Sequence, residues 1–273
     1  MKPWVIKLGG AALTNPAAIS NLAEAILLLK AEGKQVVVVH GGGPMINKAL
    51  TEKNISWTFH EGQRVTTSEM MSVIEVAMGL VNKTICDVFT AMNIKNIGIP
   101  GNAQEMFFCR PMNKDLGLVG EVTKVNSALV QDALAMDLTP IIAPIGVDAE
   151  GISYNINADW GASSLASNLS SDILIYATDQ RGILDLNELP YDSLTLEQLK
   201  ILMDKGGVTG GMLAKSRSIE KALLNGVGKV CITHALELRD LIETKSGGTL
   251  CVEMSRLDYV MKMKIKENTY AVS

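Results

Sequence analysis

The sequence has few aromatic residues and no strong excess of charge. Phe, Trp and Tyr together make up 4% of the 273 residues, and the formal net charge is −4 at pH 7. Proteins that bind nucleic acid usually present a basic surface, or aromatic side chains on which bases stack. The composition therefore argues against nucleic acid as a partner, and it gives no electrostatic reason to expect an anionic membrane.

A membrane span, a signal peptide and a cysteine framework are also missing from the sequence. No apolar run approaches the roughly 18 residues that a membrane-crossing helix needs, and Lys7 interrupts the short apolar run near the N-terminus. The four cysteines include no CxxC pair, and the three histidines do not have metal-ligand spacing. We therefore expect a cytoplasmic protein with free thiols and no protein-held metal.

The sequence does contain a series of short apolar runs separated by helical patterns. The runs are WVIKL, QVVVVH, IKNIGI, TPIIAPIG, DILIYATD and KVCITH. Between the first two, Asn15 can cap a helix, Pro16 suits its first turn, and Gly33 suits its end. Such alternation predicts an α/β fold, a three-layer αβα sandwich around a mainly parallel sheet.

Two other segments depart from this alternation. Residues 105–126 contain short β-type stretches around Asn113, Lys114 and Asp115, which predict a hairpin laid onto the main sheet. The segment LPYDSLTLEQLKILMDKGG is typical of a loop that enters a short helix. No linker or repeat divides the chain, so we expect two continuous lobes, residues 1–170 and residues 171–273.

Two strands are followed directly by glycines. VVVVHGGGP, residues 36–44, leads from a β-branched strand through three glycines to Pro44, which suits the first turn of a helix. VIKLGG repeats the pattern with Lys7 two residues before Gly9. A single glycine-rich segment of this kind could equally be a tight turn without a ligand or an anion site. Two such segments, together with a cation in an apolar strand, favour a phosphate site.

The usual nucleotide-binding signatures are absent. No GxxxxGK[ST] motif occurs, because GGMLAKS has Ala214 where the second glycine is required. No GxGxxG motif follows a strand, since GGGPMI has Ile46 at its last position. A nucleotide site in this protein would use neither a P-loop nor a dinucleotide fingerprint.

Three further segments carry polar groups suited to chemistry. Arg64 lies in GQRVTTSEM, and a guanidinium can bind a carboxylate through two hydrogen bonds, although a lone arginine is more often on the surface. Asn155, Asn157 and Asp159 alternate at period two, which predicts three side chains on one face of an extended segment, with helix capping as the alternative. GGVTGGMLAKS is a glycine-rich loop that ends in Lys215.

Taken in order, these segments resemble the amino acid kinase family. The matching pieces are VIKLGG, VVVVHGGGP, GQRVT, VNKTI, LGLVGEVTKVN, NINADWGAS, TDQRGIL, GGVTGGMLAK and GGTL, over roughly residues 4 to 250. GQRVT and GLVGEVTKVN favour the branch that acts on N-acetyl-L-glutamate over those acting on aspartate, carbamate, uridylate or unacylated glutamate. The resemblance implies phosphorylation of a side-chain carboxylate by ATP, with Mg²⁺ carried by the nucleotide, in arginine or ornithine biosynthesis.

The resemblance also implies a role for each matching residue. Lys7 and Lys215 would stabilise the transferring phosphoryl group, and Asp159 would orient both lysines. Residues expected to hold the acyl amino acid are Gly42, Gly43, Arg64 and Asn155. Residues expected to bind the nucleotide are Gly9, Gly10, Asp179, Gln180, Arg181, Gly182, Ile183, Leu184, Gly207, Val208 and Thr209.

Some features differ from the family pattern. Trp160 is bulkier than expected beside Asp159, and Gln180 and Arg181 replace smaller or apolar residues, while no role is assigned to the segment after residue 253. In this family an N-terminal helical extension accompanies hexamers that arginine inhibits. The given sequence starts at its first predicted strand, without such an extension. We therefore expect an arginine-insensitive homodimer, with the dimer contact in the N-terminal lobe. Two alternatives stay open, a kinase of a related acceptor such as N-acetyl-2-aminoadipate and a non-catalytic ligand-binding regulator.

Overall fold

The computed structural model describes residues 2–60 and 62–253. Its strands are β1 (Trp4–Leu8), β2 (Val36–His40), β3 (Phe59–His60), β4 (Gln63–Arg64), β5 (Asn96–Pro100), β6 (Phe107–Pro111), β7 (Gly120–Val125), β8 (Thr139–Ala143), β9 (Ile145–Val147), β10 (Ser153–Asn155), β11 (Ile173–Thr178), β12 (Ser193–Thr195), β13 (Lys229–His234) and β14 (Thr249–Val252). Its α-helices are α1 (Pro16–Ala31), α2 (Gly43–Glu52), α3 (Ser68–Ala91), α4 (Ala128–Ala135), α5 (Ala158–Asn168), α6 (Leu196–Asp204), α7 (Gly210–Leu224) and α8 (Leu238–Thr244). Within the described residues, no helix is both long and apolar enough to span a bilayer.

In the part of the chain that the structure describes, eight strands form the central sheet, in the order β12-β14-β13-β11-β1-β2-β8-β5. The six strands from β13 to β5 are parallel to one another, and β14 runs antiparallel to β13. Helices α1, α3 and α8 cover one face, and α4 to α7 cover the other, so alternate residues of each strand enter two separate cores. The predicted αβα sandwich around a mainly parallel sheet is confirmed.

The first helix forms where capping and periodicity predict it. The side chain of Asn15 accepts a hydrogen bond from the N–H of Ala17, and Pro16 occupies the first turn, where its missing N–H costs nothing. The helix ends at Ala31, and Gly33 follows with φ of +73°, a conformation that a side chain would strain. Its apolar stripe is fully or almost fully buried against the sheet.

Two local predictions were wrong. The run TPIIAPIG is not one strand, because Pro144 separates β8 from β9 and lacks the N–H that would continue the ladder. The hairpin of β6 and β7 forms as predicted, but it belongs to a separate four-stranded sheet, in the order β10-β9-β6-β7. β9 and β10 are only three residues each, too short for their alternation to be detected in the sequence.

The central sheet crosses the predicted boundary at residue 170. β11, which follows that boundary, lies beside β1 with Lys7 in register with Tyr176. The carboxyl ends of β1, β2 and β11 therefore meet at one edge of the sheet, and residues distant in sequence are brought together there. The division into two lobes with different ligands stays a prediction.

Candidate active site

Two lysines from opposite ends of the chain share one carboxylate. The Nζ atom of Lys7 lies 2.7 Å from Oδ1 of Asp159, and that of Lys215 lies 2.8 Å from Oδ2. Both lysines are 7% exposed. The predicted meeting of these cations is therefore found, and the three charges leave a buried cluster with a net charge of +1.

The backbone accounts for the position of each charged group. Lys7 lies near the end of β1 on the face covered by α5 and α7, Lys215 lies in the second turn of α7, and Asp159 lies in the first turn of α5. Asn157 caps α5 by accepting hydrogen bonds from the N–H groups of Asp159 and Trp160, at 2.9 and 3.4 Å. Asp159 is thus placed at the positive end of a helix dipole, which favours its ionised form.

The extended face predicted for Asn155, Asn157 and Asp159 was wrong. Asn155 ends β10, whereas Asn157 is the cap of α5 and Asp159 is already helical. The capping alternative applies to Asn157, because its side chain satisfies helix N–H groups that would otherwise lack acceptors. A change from strand to helix inside the motif breaks the period-two pattern.

Burial and charge shift the pKa values within the cluster. Burial has the largest effect on Lys7 and lowers its pKa; Asp159 opposes this shift and Lys215 adds to it. For Asp159, burial alone would raise the pKa, but the two lysines outweigh it and hold the pKa far below its usual range. The carboxylate is therefore ionised throughout the neutral pH range.

The lowered pKa values of Lys7 and Asp159 predict how the proposed reaction depends on pH. A lysine with a lowered pKa loses its proton at a lower pH than a free lysine, so turnover should fall on the alkaline side with an apparent pKa below the ordinary 10.5 of lysine. Asp159 should contribute no acidic limb. The measurement is kcat as a function of pH at constant ionic strength, with circular dichroism at each pH to exclude unfolding. An alkaline limb with an apparent pKa at or above 10.5 would contradict the prediction.

The two glycine turns pack directly against each other at the ends of β1 and β2. A Cβ atom on Gly10 would lie 2.9 Å from the amide nitrogen of Gly43, and one on Gly41 would lie 2.7 Å from that of Gly10. Side chains are therefore excluded at this contact. Within the described residues, the N–H groups of Gly10 and Gly42 have no acceptor, and α2 begins at Gly43 with its dipole directed at the same place.

His40 supports this contact and was not identified from the sequence. It is fully buried, and its Nδ1 lies 2.8 Å from the carbonyl oxygen of Gly41, which can only accept a hydrogen bond. Nδ1 therefore carries the proton, and Nε2 accepts from the side-chain amide of Asn82 at 3.1 Å. Burial lowers the pKa of His40 to about 4, so the ring stays neutral and the turn keeps one arrangement.

Arg64 is buried with part of its guanidinium unsatisfied. The side chain is 6% exposed, lies 5.6 Å from the ring of Trp57 and 4.7 Å from that of Phe59, and donates through Nη2 to Asn47. Its Nη1 is buried without a partner among the described residues. A guanidinium held this way is preorganised for an anionic acceptor.

Asn155 lies close to Arg64 through one intermediate residue. Its side-chain amide donates to the hydroxyl of Thr66 at 3.2 Å, and that hydroxyl donates to the carbonyl oxygen of Arg64 at 2.8 Å. Two residues that the family resemblance assigns to the acyl amino acid are therefore connected across 91 positions of sequence. They can act on one small molecule.

A cavity of about 550 Å³ opens onto Asp159 and Lys215. Seven of the predicted nucleotide residues line it, namely Asp179, Gln180, Gly182, Leu184, Gly207, Val208 and Thr209. The prediction did not include Thr178, Gly211 and Met212, which also line it. Thr178 is the last residue of β11, and Gly211 lies in the glycine-rich segment before Lys215. Both residues could therefore have been identified from the sequence as candidates for the site.

The other predicted nucleotide residues lie elsewhere. The side chain of Arg181 points to Glu237, with Nε 3.1 Å from the carboxylate, and Ile183 is fully buried in the core. Gly9 and Gly10 belong to the glycine contact at the ends of β1 and β2. Trp160 is also absent from the cavity wall, because its ring faces Lys221 on α7, 5.2 Å from the ammonium.

Comparisons with known proteins agree with this architecture. The model of the amino acid kinase family matches residues 2–234. Acetylglutamate kinase from Chromobacterium violaceum is 36% identical over 263 residues, covering 91% of this chain and 91% of that protein. Acetylglutamate kinase from Ruegeria pomeroyi is 37% identical over 229 residues, covering 84% and 80%. The crystal structure of smu.665 from Streptococcus mutans matches with a TM-score of 0.78 and 29% identity, covering 92% and 98%.

Proposed function

Because the chain belongs to the amino acid kinase family, we propose that it transfers the γ-phosphoryl group of ATP to the side-chain carboxylate of N-acetyl-L-glutamate. The product would be N-acetyl-L-glutamyl 5-phosphate, used in arginine or ornithine biosynthesis. The observation that carries the proposal is the cluster of Lys7, Asp159 and Lys215 beside a cavity and a glycine contact. The acetylglutamate kinases that are 36 and 37% identical support the choice of acceptor.

The chemistry of such a transfer suits the charges at this site. A γ-carboxylate with a reference pKa of about 4.3 is already ionised at neutral pH, so no general base is needed. The difficulty is repulsion between an anionic acceptor and an anionic donor. In phosphoryl transfer most catalysis is positioning and charge stabilisation, which the two buried ammonium groups supply.

Each group then has a distinct role. Lys215, on the wall of the cavity, contacts the phosphate of the donor, and Lys7, at the end of β1, contacts the reacting oxygens from the other side of Asp159. The N–H groups at Gly42 and Gly43 bind the acceptor carboxylate, while Arg64 and Asn155 hold the rest of the acyl amino acid. The residues that line the cavity bind ATP.

Magnesium would reach the site with the phosphates of ATP. No group of three His, Cys, Asp or Glu side chains in residues 2–60 and 62–253 is arranged to hold a metal ion, and Asp159 is already engaged by two lysines. Mg²⁺ typically keeps several waters and binds through substrate phosphates with one or two carboxylates. It would screen the negative charge of the donor, and Asp179 is the carboxylate in the cavity wall available to it.

The decisive experiment measures ADP formation by purified protein with MgATP and a panel of acceptors. The panel contains N-acetyl-L-glutamate, N-acetyl-2-aminoadipate, N-acetyl-L-aspartate and unacylated glutamate. Trapping with hydroxylamine should give a hydroxamate only if a carboxylate oxygen attacks phosphorus. Binding of the acceptor without ADP formation, or faster turnover of another acceptor, would overturn the proposal.

Arg64→Ala should mainly raise KM for the acyl amino acid. Arg64 is proposed to bind a carboxylate that does not react, and such uniform binding affects KM rather than kcat. A lost charge-assisted hydrogen bond is worth about 1.5–3 kcal/mol, so KM should rise roughly 10- to 100-fold. Steady-state kinetics with each substrate varied would test this, with exposed Arg110→Ala as control. A rise in KM for ATP instead would contradict the assignment.

We expect a homodimer in which α3 forms the contact. Val76 and Leu80 on its outer face are 66% and 63% exposed, and a largely apolar cavity of about 650 Å³ lies beside them. The edge strand β5 carries Ile97, 40% exposed. Light scattering after gel filtration should show twice the chain mass, and Leu80→Glu should halve it. Leu186→Glu, at a fully exposed position, is the control; a monomeric unaltered protein would overturn this expectation.

The state of the cysteines supports a proposal for the cellular compartment of the protein. Cys86, Cys109, Cys231 and Cys251 are all free, and free thiols persist in reducing compartments. This supports the cytoplasm as the location of the enzyme. Recovery of the activity in a periplasmic fraction rather than with cytoplasmic markers would contradict it.

A further inference from the structure

A reciprocal pair of serine hydrogen bonds joins α5 to α7 beneath the charged cluster. The hydroxyl of Ser163 on α5 donates to the carbonyl oxygen of Ser218 on α7 at 3.1 Å. In return, the hydroxyl of Ser218 donates to the carbonyl oxygen of Asp159 on α5 at 3.0 Å. Both serines are fully buried. Ser218 lies three residues after Lys215, so the two bonds connect the turns that carry two of the three charges.

Tyr176 on β11 completes this arrangement from the sheet. Its hydroxyl contacts that of Ser218 and lies 3.3 Å from the carbonyl oxygen of Asp159. The carbonyl oxygen of Asp159 can only accept, and it lies within hydrogen-bond distance of both hydroxyls, so Ser218 and Tyr176 form one network on that oxygen. Burial raises the pKa of Tyr176 well above its usual value, so the phenol stays protonated and remains a donor.

The ring of Tyr176 also contacts the charged groups. Its face lies 5.0 Å from the ammonium of Lys215. In the sheet, Tyr176 is in register with Lys7 on the neighbouring strand, and both side chains point to the layer of α5 and α7. Tyr176 therefore touches the backbone of Asp159 and the side chain of Lys215, and it lies next to Lys7.

We propose that Ser163, Ser218 and Tyr176 are positioning residues that keep Asp159 and Lys215 at a constant separation during phosphoryl transfer. The inference rests on the proposed kinase reaction. The two ion pairs alone cannot perform this task, because an incoming phosphate competes with Asp159 for both ammonium groups. The serine bonds end on backbone carbonyls, so they hold the two helical turns regardless of where the negative charge lies. Catalytic geometry must hold within about 0.5 Å, which such bonds can ensure.

The test compares Ser218→Ala, Ser163→Ala and Tyr176→Phe with the unaltered enzyme. Each variant removes one hydroxyl and keeps the apolar volume. Because small misplacements of charged groups mainly affect the transition state, we expect kcat to fall about 10-fold, with KM for ATP and for the acceptor within about twofold. Ser218→Ala combined with Tyr176→Phe should lose less than the sum of the two single losses, because the two hydroxyls belong to one hydrogen-bond network on the same carbonyl oxygen.

Ser171→Ala is the matched control. Ser171 is as fully buried as Ser218 and its hydroxyl has no partner among the described residues. It precedes β11 at the opposite edge of the sheet, so its removal should leave kcat and both KM values unchanged. Thermal unfolding of all variants separates lost stability from lost positioning. If Ser218→Ala does not fold, Tyr176→Phe and Ser163→Ala decide the question.

Several outcomes would overturn the proposal. These are kcat within twofold of the unaltered enzyme in folded Tyr176→Phe and Ser218→Ala, a raised KM for ATP with unchanged kcat, or fully additive losses in the double variant. A crystal structure of Tyr176→Phe provides a readout that needs no turnover, since the separation between Lys215 and Asp159 should increase. An inactive unaltered enzyme would count against the proposed function, whereas an unchanged separation would count against the positioning role.

Discussion

Lys215→Met and Lys7→Met are each expected to lower kcat by about 100- to 1000-fold, the usual cost of removing one preorganised charge donor. Either change reduces the net charge of the buried cluster from +1 to zero, so the cluster no longer offsets the repulsion between the donor and acceptor anions. Methionine fills nearly the same volume as lysine, and the fold should survive. The measurement is the rate of hydroxamate formation at saturating MgATP and acceptor.

The chain offers a matched control for these two variants. Lys30 forms an ion pair with Asp137 at 2.8 Å, away from the cavity, and the carboxylate partner is 74% exposed. Lys30→Met should leave kcat unchanged, because such a surface pair contributes little. Near-normal turnover by either folded Lys7→Met or Lys215→Met would show that the cluster does not stabilise the reacting phosphoryl group.

Asp159→Asn should damage both activity and stability. The amide oxygen can accept from one ammonium group, but the NH₂ group, which only donates, would face the other ammonium group. Removing one partner of a buried ion pair costs about 3–5 kcal/mol, because an uncompensated charge stays buried. Lys7, whose pKa burial already lowers, would be the lysine to lose its proton, so kcat should fall by at least the roughly 100-fold expected for a lost charge donor.

Urea unfolding and turnover of the same preparation would test this prediction. Asp137→Asn removes the carboxylate of the exposed pair with Lys30, and its effect on the free energy of unfolding should stay below about 1 kcal/mol. If Asp159→Asn were as stable as Asp137→Asn and retained activity, the carboxylate would not be what holds the two ammonium groups together.

The fold could be predicted to a large extent because its signals are local. Val36 to Val39 are all buried, as expected of a parallel strand covered on both faces, and Asn15 caps the helix that it was predicted to cap. The resemblance to the amino acid kinase family is confirmed by the match over residues 2–234. The predictions that failed concern β9, β10 and the segment from Asn155 to Asp159, where elements are short or change type within a few residues.

The site was predicted less completely than the fold. Lys7, Asp159 and Lys215 were identified as a group, and most of the predicted nucleotide residues line one cavity. The side chain of Arg181 forms an ion pair with Glu237 instead. Glu237 lies far from Arg181 in sequence, so this contact could not be predicted from the motif around Arg181. His40 and the supports of Asp159 were missed because a lone buried histidine, tyrosine or serine has no distinguishing pattern.

By itself, the sequence determined where strands and helices form, which turns lack side chains, and which residues could carry charge into an apolar environment. These properties depend on backbone sterics and on the period of apolar residues, so they can be recognised in short segments. Only the tertiary structure decided that Lys7 and Lys215 share one carboxylate, that Gly10 touches Gly43, and that Tyr176 reaches Asp159. Those contacts arise from the order of the strands and the packing of α5 against α7, which bring together groups up to 208 positions apart.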